Sequence, residues 1–235
     1  MKSNFLRGMS HGIPIALGYL SVSFGFGILA VESGLSVFQT TAISASNVTS
    51  AGQIAGVGII AAGGTLLEMI VVQLVINIRY SLMALSLSQK LDKKFTTPHR
   101  LIASFGITDE IFAVCSAQQG RITPLYMYGM IFISLLGWIL GTFLGAEAGE
   151  FLPSSVSAAM GIVLYGMFLA IIIPPSRKNK SVLFVTVVAA VLSIAFKYLL
   201  SMVSGGFAVI ICAIVSAGLG ALLFPISDEE EEAKK

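Results

Sequence analysis

Three polar groups in the N-terminal half have residue types and spacings that could do chemistry, and all stand in strongly apolar sequence. The first is the run SNVTSAGQ, with Ser46, Asn47, Ser50 and Gln53 as donors and acceptors. The second is Asn77, Arg79 and Tyr80, deep in EMIVVQLVINIRYSLMALSL. The third is the adjacent carboxylate pair Asp109 and Glu110. Polar groups in hydrocarbon cost free energy unless they are paired or face water or a ligand.

On a helical wheel Gln73, Asn77, Tyr80 and Ser81 share one face. Glu68 and Arg79 share a second face but lie three turns apart, so Arg79 needs another partner or must reach an interface. Adjacent carboxylates project about 100° apart on a helix, so Asp109 and Glu110 are not expected to face one cavity. One can cap the half-helix that follows, and the other can serve as a charge partner or proton site. Burial disfavours a charged carboxylate there, whereas a cation such as Arg79 favours it.

Interrupted membrane helices with exposed half-helix ends are how many transporters build a substrate site, and a small amino acid can be tried against this one. An amino acid needs its carboxylate and ammonium satisfied while its side chain lies among apolar groups. A half-helix starting near Ala51 offers free N–H groups and a positive end to the carboxylate. Carbonyls of unwound backbone, with Asn47, Gln53 or Asp109, offer acceptors to the ammonium. The substrate contacts are therefore read as Ser46, Asn47, Ser50, Gln53, Asn77 and Tyr80. The charge- or proton-coupling groups are read as Asp109, Glu110, Arg79 and Glu68. His11 and His99 lie beside loops, and no HExxH, Ser-His-Asp or nucleotide-binding pattern is present. Neither catalytic nor metal-ligating residues are expected, nor a cofactor or a nucleic-acid partner.

The elements that must hold these groups are membrane helices. Charged residues make up 11% of the chain and apolar ones 56%, against roughly 25% charged in soluble domains. Apolar stretches run over Ile13–Val31, with Pro14 near the start, and over Val37–Ala62, Thr65–Leu91, Leu125–Leu144, Val156–Ile173, Val182–Leu200 and Phe207–Phe224. Ser46, Asn47 and Ser50 are helix-capping types in mid-stretch, which predicts a half-helix ending near Ala45 and another starting near Ala51. The segment Ser104–Gly120 is too short and too polar for an ordinary span. Trp138 and Tyr126 are expected at the membrane interfaces. Cys115 and Cys212 are expected to be buried free thiols.

The expected fold is an all-α integral membrane bundle of six to eight hydrophobic segments, with one or two broken or re-entrant helices in the N-terminal half. It forms a single transmembrane domain over residues 1–235, with a short basic N-terminus (1–11) and a disordered acidic tail (227–235). No internal repeat is visible. Basic residues cluster at Lys2 and Arg7, in the loop Gln89–Arg100, at Arg121 and at Arg177, Lys178 and Lys180. The positive-inside rule then puts both termini in the cytoplasm. Two full crossings between Glu32 and Gln89 would place the most basic loop outside. Six spans plus two re-entrant or broken segments remove that conflict; eight full spans are the alternative.

The ordered pieces Pro14–Tyr19, Phe24–Gly27, Gly34–Ser36, Ala51–Gln53, Ile76–Tyr80 and Ile107–Glu110 resemble the AzlC-type family of azaleucine-resistance, branched-chain amino acid permeases. The resemblance covers about the N-terminal half. Where the family more often has FAGAAQ this chain has VTSAGQ, and Tyr80 stands where the family more often has histidine. The resemblance implies export of branched-chain amino acids across the cytoplasmic (inner) membrane, together with a small hydrophobic AzlD-like subunit. Ion-gradient coupling is expected. A pore or a non-transporting membrane subunit is the alternative, and a membrane enzyme is the weakest reading.

Overall fold

A computed structural model describes residues 2–149, 151, 166, 169, 172–200 and 202–225. The expected span Val156–Ile173 falls almost wholly outside these residues, as does the acidic tail. Within them the chain is helical: α1 (Lys2–Glu32), α2 (Val37–Ser46), α3 (Ser50–Ala61), α4 (Leu66–Ser88), α5 (Thr97–Phe105), α6 (Asp109–Ala117), α7 (Pro124–Gly149), α8 (Lys180–Leu199) and α9 (Gly205–Leu223). Five of them, α1, α4, α7, α8 and α9, are long and apolar enough to cross a membrane.

The frame is the pair α1 and α7. Gly137, Gly141, Gly145 and Gly149 recur every fourth residue on α7, forming a stripe that lets another backbone approach closely. Ala16 packs on Gly137, Leu20 on Gly141, Phe24 on Gly145 and Ile28 on Gly149. Both sequences advance together, so the two helices run parallel. This pairing corrects the expectation for the start of the chain. Residues 2–11 form the first turns of α1, which starts well before the expected Ile13, and Pro14 lies inside the helix. Close packing of Gly8 and Gly12 on the Tyr126–Met130 backbone secures these turns although Pro14 removes one helical hydrogen bond. At 31 residues and 1.5 Å per residue, α1 is about 46 Å long. That exceeds a hydrocarbon core of about 30 Å.

Two short helical hairpins enter this frame from opposite sides. The α4 exit is tied to the α7 entry by a Leu91–Ile122 bridge, with Asp92 N–H donating to Ile122 O at 2.9 Å and Ile122 N–H to Lys90 O at 2.9 Å. Lys90 Nζ donates to the carbonyls of Ser116 and Gln118, at the end of α6. Asn4 near the start of α1 reaches Thr123 at 3.4 Å. The α1 start, α4 end, α6 end and α7 start therefore share one side, here the N-terminal side. The pair α5–α6 begins and ends there.

The pair α2–α3 does the reverse. It leaves the far side after Glu32, and Gln53 on its returning limb donates to Ser44 on its entering limb at 2.9 Å. It comes back at Gly63 (φ +65°), where α4 starts. The loop Gln89–Arg100 consequently lies on the same side as the N-terminus. Both breaks belong to a helix-plus-hairpin unit used twice in opposite orientations, α1 with α2–α3 and α4 with α5–α6. Sequence inspection missed this repeat because backbone direction, not side-chain identity, is what recurs.

Helix α9 descends from the far side. Its first turn is held by Glu68 of α4, whose Oε1 accepts from Ser204 Oγ at 2.5 Å and from Gly206 N–H at 3.0 Å. Gly220 near the end of α9 packs on Val185 near the start of α8, so α8 is antiparallel and begins on the N-terminal side. Trp138 and Tyr126, expected at interfaces, are instead buried, 3% and 6% exposed. They are covered by α1, Trp138 by the ring of Tyr19 and Tyr126 by that of His11. Cys115 and Cys212 are buried free thiols.

Candidate functional site

The two hairpin tips meet at a cavity of about 230 Å³. Val48, Ser50 and Ala51 line it from the α2–α3 tip, and Thr108, Asp109 and Glu110 from the α5–α6 tip. Ile76, Arg79 and Tyr80 of α4, Tyr19 of α1 and Trp138 of α7 complete the walls, with Ile172 at one edge.

Each tip is built the same way. Thr49 adopts an extended backbone and its side chain accepts from Gly52 N–H, starting α3. Thr108 does the same for Ile111 N–H, starting α6. The first-turn N–H groups of a helix have no intrahelical acceptor and carry partial positive charge. Both half-helices aim that end at the cavity. The cap of α3 is thus Thr49, not Ser46, Asn47 or Ser50. Ser46 is exposed and bonds back to Ala42 O at 2.7 Å, Asn47 closes α2 through its backbone, and Ser50 is the first helical residue. Likewise Thr108, not Asp109, caps α6. A short β-branched hydroxyl fits the extended cap conformation, which leaves the following residues free to line the site.

The charges meet inside. Arg79 Nη1 lies 2.7 Å from Asp109 Oδ2, with the side chains 42% and 40% exposed, so the pair remains reachable from the cavity. Arg79 also sits over the Tyr80 ring, 5.0 Å from its centroid. Tyr19 Oη lies 2.5 Å from Glu110 Oε2 and 2.6 Å from Thr108 Oγ1. A phenol has one proton to donate, so it donates to the carboxylate and accepts from the threonine hydroxyl. Asp109 and Glu110 line one cavity after all. The 100° argument applies along the side of a helix, whereas this cavity lies off the helix end, where both first-turn side chains converge.

Other expected residues stand behind the walls. Gln73 donates to Gly52 O at 2.7 Å and accepts from Asn77 Nδ2 at 3.0 Å, bracing α4 against α3. Gln53 is buried and bonded to Ser44, which is 2.8 Å from Thr142 on α7. Glu68 lies at the far side, on the α9 N-terminus. Sequence reasoning overlooked Tyr19 and Trp138, which stack edge to face at 5.3 Å. The Trp138 Nε1 donor is buried with no partner among the described residues. A phenol and an indole within otherwise apolar spans were the available signals.

Hairpins inserted from opposite sides, with half-helix N-termini and an ion pair at their junction, define a membrane protein of transporter type. The chain belongs to the AzlC protein family, whose model matches residues 14–152, the part that builds the frame and both hairpins. It is 28% identical over 187 residues to an Escherichia coli (strain K12) protein named inner membrane protein YgaZ, covering 77% of this chain and 76% of that one. An uncharacterized membrane protein of Archaeoglobus fulgidus is 32% identical over 174 residues, covering 72% and 75%. One from Helicobacter pylori (strain J99) is 25% identical over 181 residues, covering 75% and 78%. No solved structure matches the chain.

Proposed function

We propose that the protein is a secondary transporter exporting branched-chain or other small apolar amino acids across the cytoplasmic membrane. It would be driven by an ion gradient and work with a small AzlD-like membrane subunit. The observation that carries this reading is the Arg79–Asp109 pair in a cavity between two opposed hairpins. A zwitterion matches those charges: its carboxylate goes to Arg79 and the first turn of α3, its ammonium to Asp109 and Glu110. Val48, Ile76 and Trp138 offer apolar wall to an aliphatic side chain. Each hairpin separates the cavity from one side, so moving one and then the other gives alternating access. Glu110, held by a phenol rather than a cation, is the carboxylate suited to take up and release a proton. The basic residues gather on the N-terminal side, which supports cytoplasmic termini.

The test is flux of labelled valine in proteoliposomes holding the chain alone, or together with an AzlD-like subunit. Saturable flux accelerated by a pH gradient, and with substrate affinity lowered about tenfold or more by Arg79→Gln, is expected. Ion current without valine flux would make the cavity a pore and overturn the reading.

A further inference from the structure

A second polar cavity, of about 160 Å³, opens on the N-terminal side of the bundle, remote from the hairpin tips. Arg7 of α1 and Arg121, just before α7, both line it, and among the described residues no acidic one does. Two like charges facing one recess repel, and an anion between them relieves that repulsion. Among the described residues each guanidinium donates one hydrogen bond to the protein. Arg7 donates to Gln118 Oε1 at 3.3 Å and Arg121 to Leu91 O at 3.0 Å. Among the described residues the single carboxylate ion pair is Arg79–Asp109, and no described carboxylate pairs with Arg7 or Arg121.

The remaining wall suits oxygen acceptors. Asn4, Gln119 and Thr123 add neutral donors. Gln118 is held in one orientation, its Oε1 toward Arg7 and its Nε2 3.2 Å from His11 Nδ1. Because Nδ1 accepts there, it also accepts from the Tyr126 hydroxyl at 2.8 Å. The negative end of α6 points this way, but Lys90 already covers its last carbonyls. The recess is large enough for a phosphate group. Leu6, beside Arg7 on α1, is 61% exposed, so an acyl chain could continue from the recess along that helix.

We propose that this recess binds a phosphate group, supplied by an anionic phospholipid headgroup or by free phosphate, through Arg7 and Arg121. Bidentate guanidinium–phosphate bonds are strong and geometrically specific. The test uses the full-length protein in mild detergent. Native mass spectrometry counts retained phosphatidylglycerol against phosphatidylcholine, and thermal unfolding is followed during titration with inorganic phosphate. Selective retention of phosphatidylglycerol assigns the headgroup; stabilisation by phosphate alone assigns the free anion. In either case Arg7→Gln and Arg121→Gln should each weaken binding by about tenfold. Lys93→Gln, exposed and outside the recess, should change nothing. Equal retention of both lipids with no phosphate effect overturns the proposal. So does equal weakening by Lys93→Gln, since the cause would then be diffuse surface charge.

Discussion

Arg79 Nη1 and Asp109 Oδ2 lie 2.7 Å apart, although one belongs to a full-length helix and the other to the tip of a hairpin. The contact closes the cavity's electrostatics around one cation and two carboxylates. It also joins the second helix-plus-hairpin unit across its own fold. Breaking it separates stability from function. The pair is about two-fifths exposed, so Arg79→Gln should cost less than about 1 kcal/mol of stability. Substrate affinity should fall by about tenfold or more, because a charge-assisted contact is lost. A drop in unfolding midpoint with unchanged affinity would make the pair purely structural.

Glu110 and Asp109 should behave differently under a pH gradient. Glu110→Gln cannot carry a proton, so gradient-driven transport should stop while exchange at equal pH continues. Asp109→Asn should keep the response to the gradient and lose affinity instead. If both amide variants still follow the gradient, neither carboxylate is the proton carrier. The coupling would then have to lie elsewhere, with Glu68 the next to be examined.

The caps can be tested by truncation. Thr49→Ala and Thr108→Ala should each lower stability by about 0.5–2 kcal/mol. Thr108→Ala should be the worse of the two, because it also frees Tyr19. Ser46→Ala should be nearly silent, since that hydroxyl only bonds back within α2. Unfolding midpoints in detergent give the comparison, and equal losses at Ser46 and Thr49 would refute the capping assignment.

The α1–α7 seam predicts a contrast between glycines. A methyl at Gly145 would strike the Phe24 backbone, whereas one at Gly18 meets nothing within 4 Å. Gly145→Ala should destabilise by about 1–3 kcal/mol through overpacking. Gly18→Ala should be neutral or stabilising by up to about 1 kcal/mol, from helix propensity. Thermal unfolding of the two variants decides it.

Sidedness is accessible to thiol labelling, because both native cysteines are buried. Cysteines placed at Lys93 and Arg177 should react from one side of the membrane and one at Glu147 from the other. Cytoplasmic termini further predict that an impermeant reagent outside the cell reaches only position 147. Labelling of position 93 from outside would reverse that orientation.

Much of this was legible from residue order. Apolar run lengths located α4, α8 and α9 to within a few residues, though not the start of α1, because hydropathy and helix rise are local properties. Polar residues in mid-stretch marked both breaks for the same reason: they cost too much in a continuous lipid-facing helix. The eleven residues between Glu68 and Arg79 already meant that the arginine needed another partner or had to reach an interface. Which one was not legible, since Asp109 reaches it only when α5–α6 folds back.

The remainder depended on tertiary structure. Pro14 looked like a helix start until the packing of Gly8 and Gly12 on α7 extended α1 past it. Asp109 and Glu110 looked divergent until the cavity was found at the end of their helix. Tyr19 and Trp138 gained their place at the site from the parallel pairing of α1 with α7, a contact between residues more than a hundred positions apart. Sequence by itself determined where the chain is apolar and where it breaks, because those are free energies of single segments in a given solvent. The direction in which each hairpin returns, and so which polar groups share a cavity, was decided by close contacts between segments, which no single segment's composition encodes.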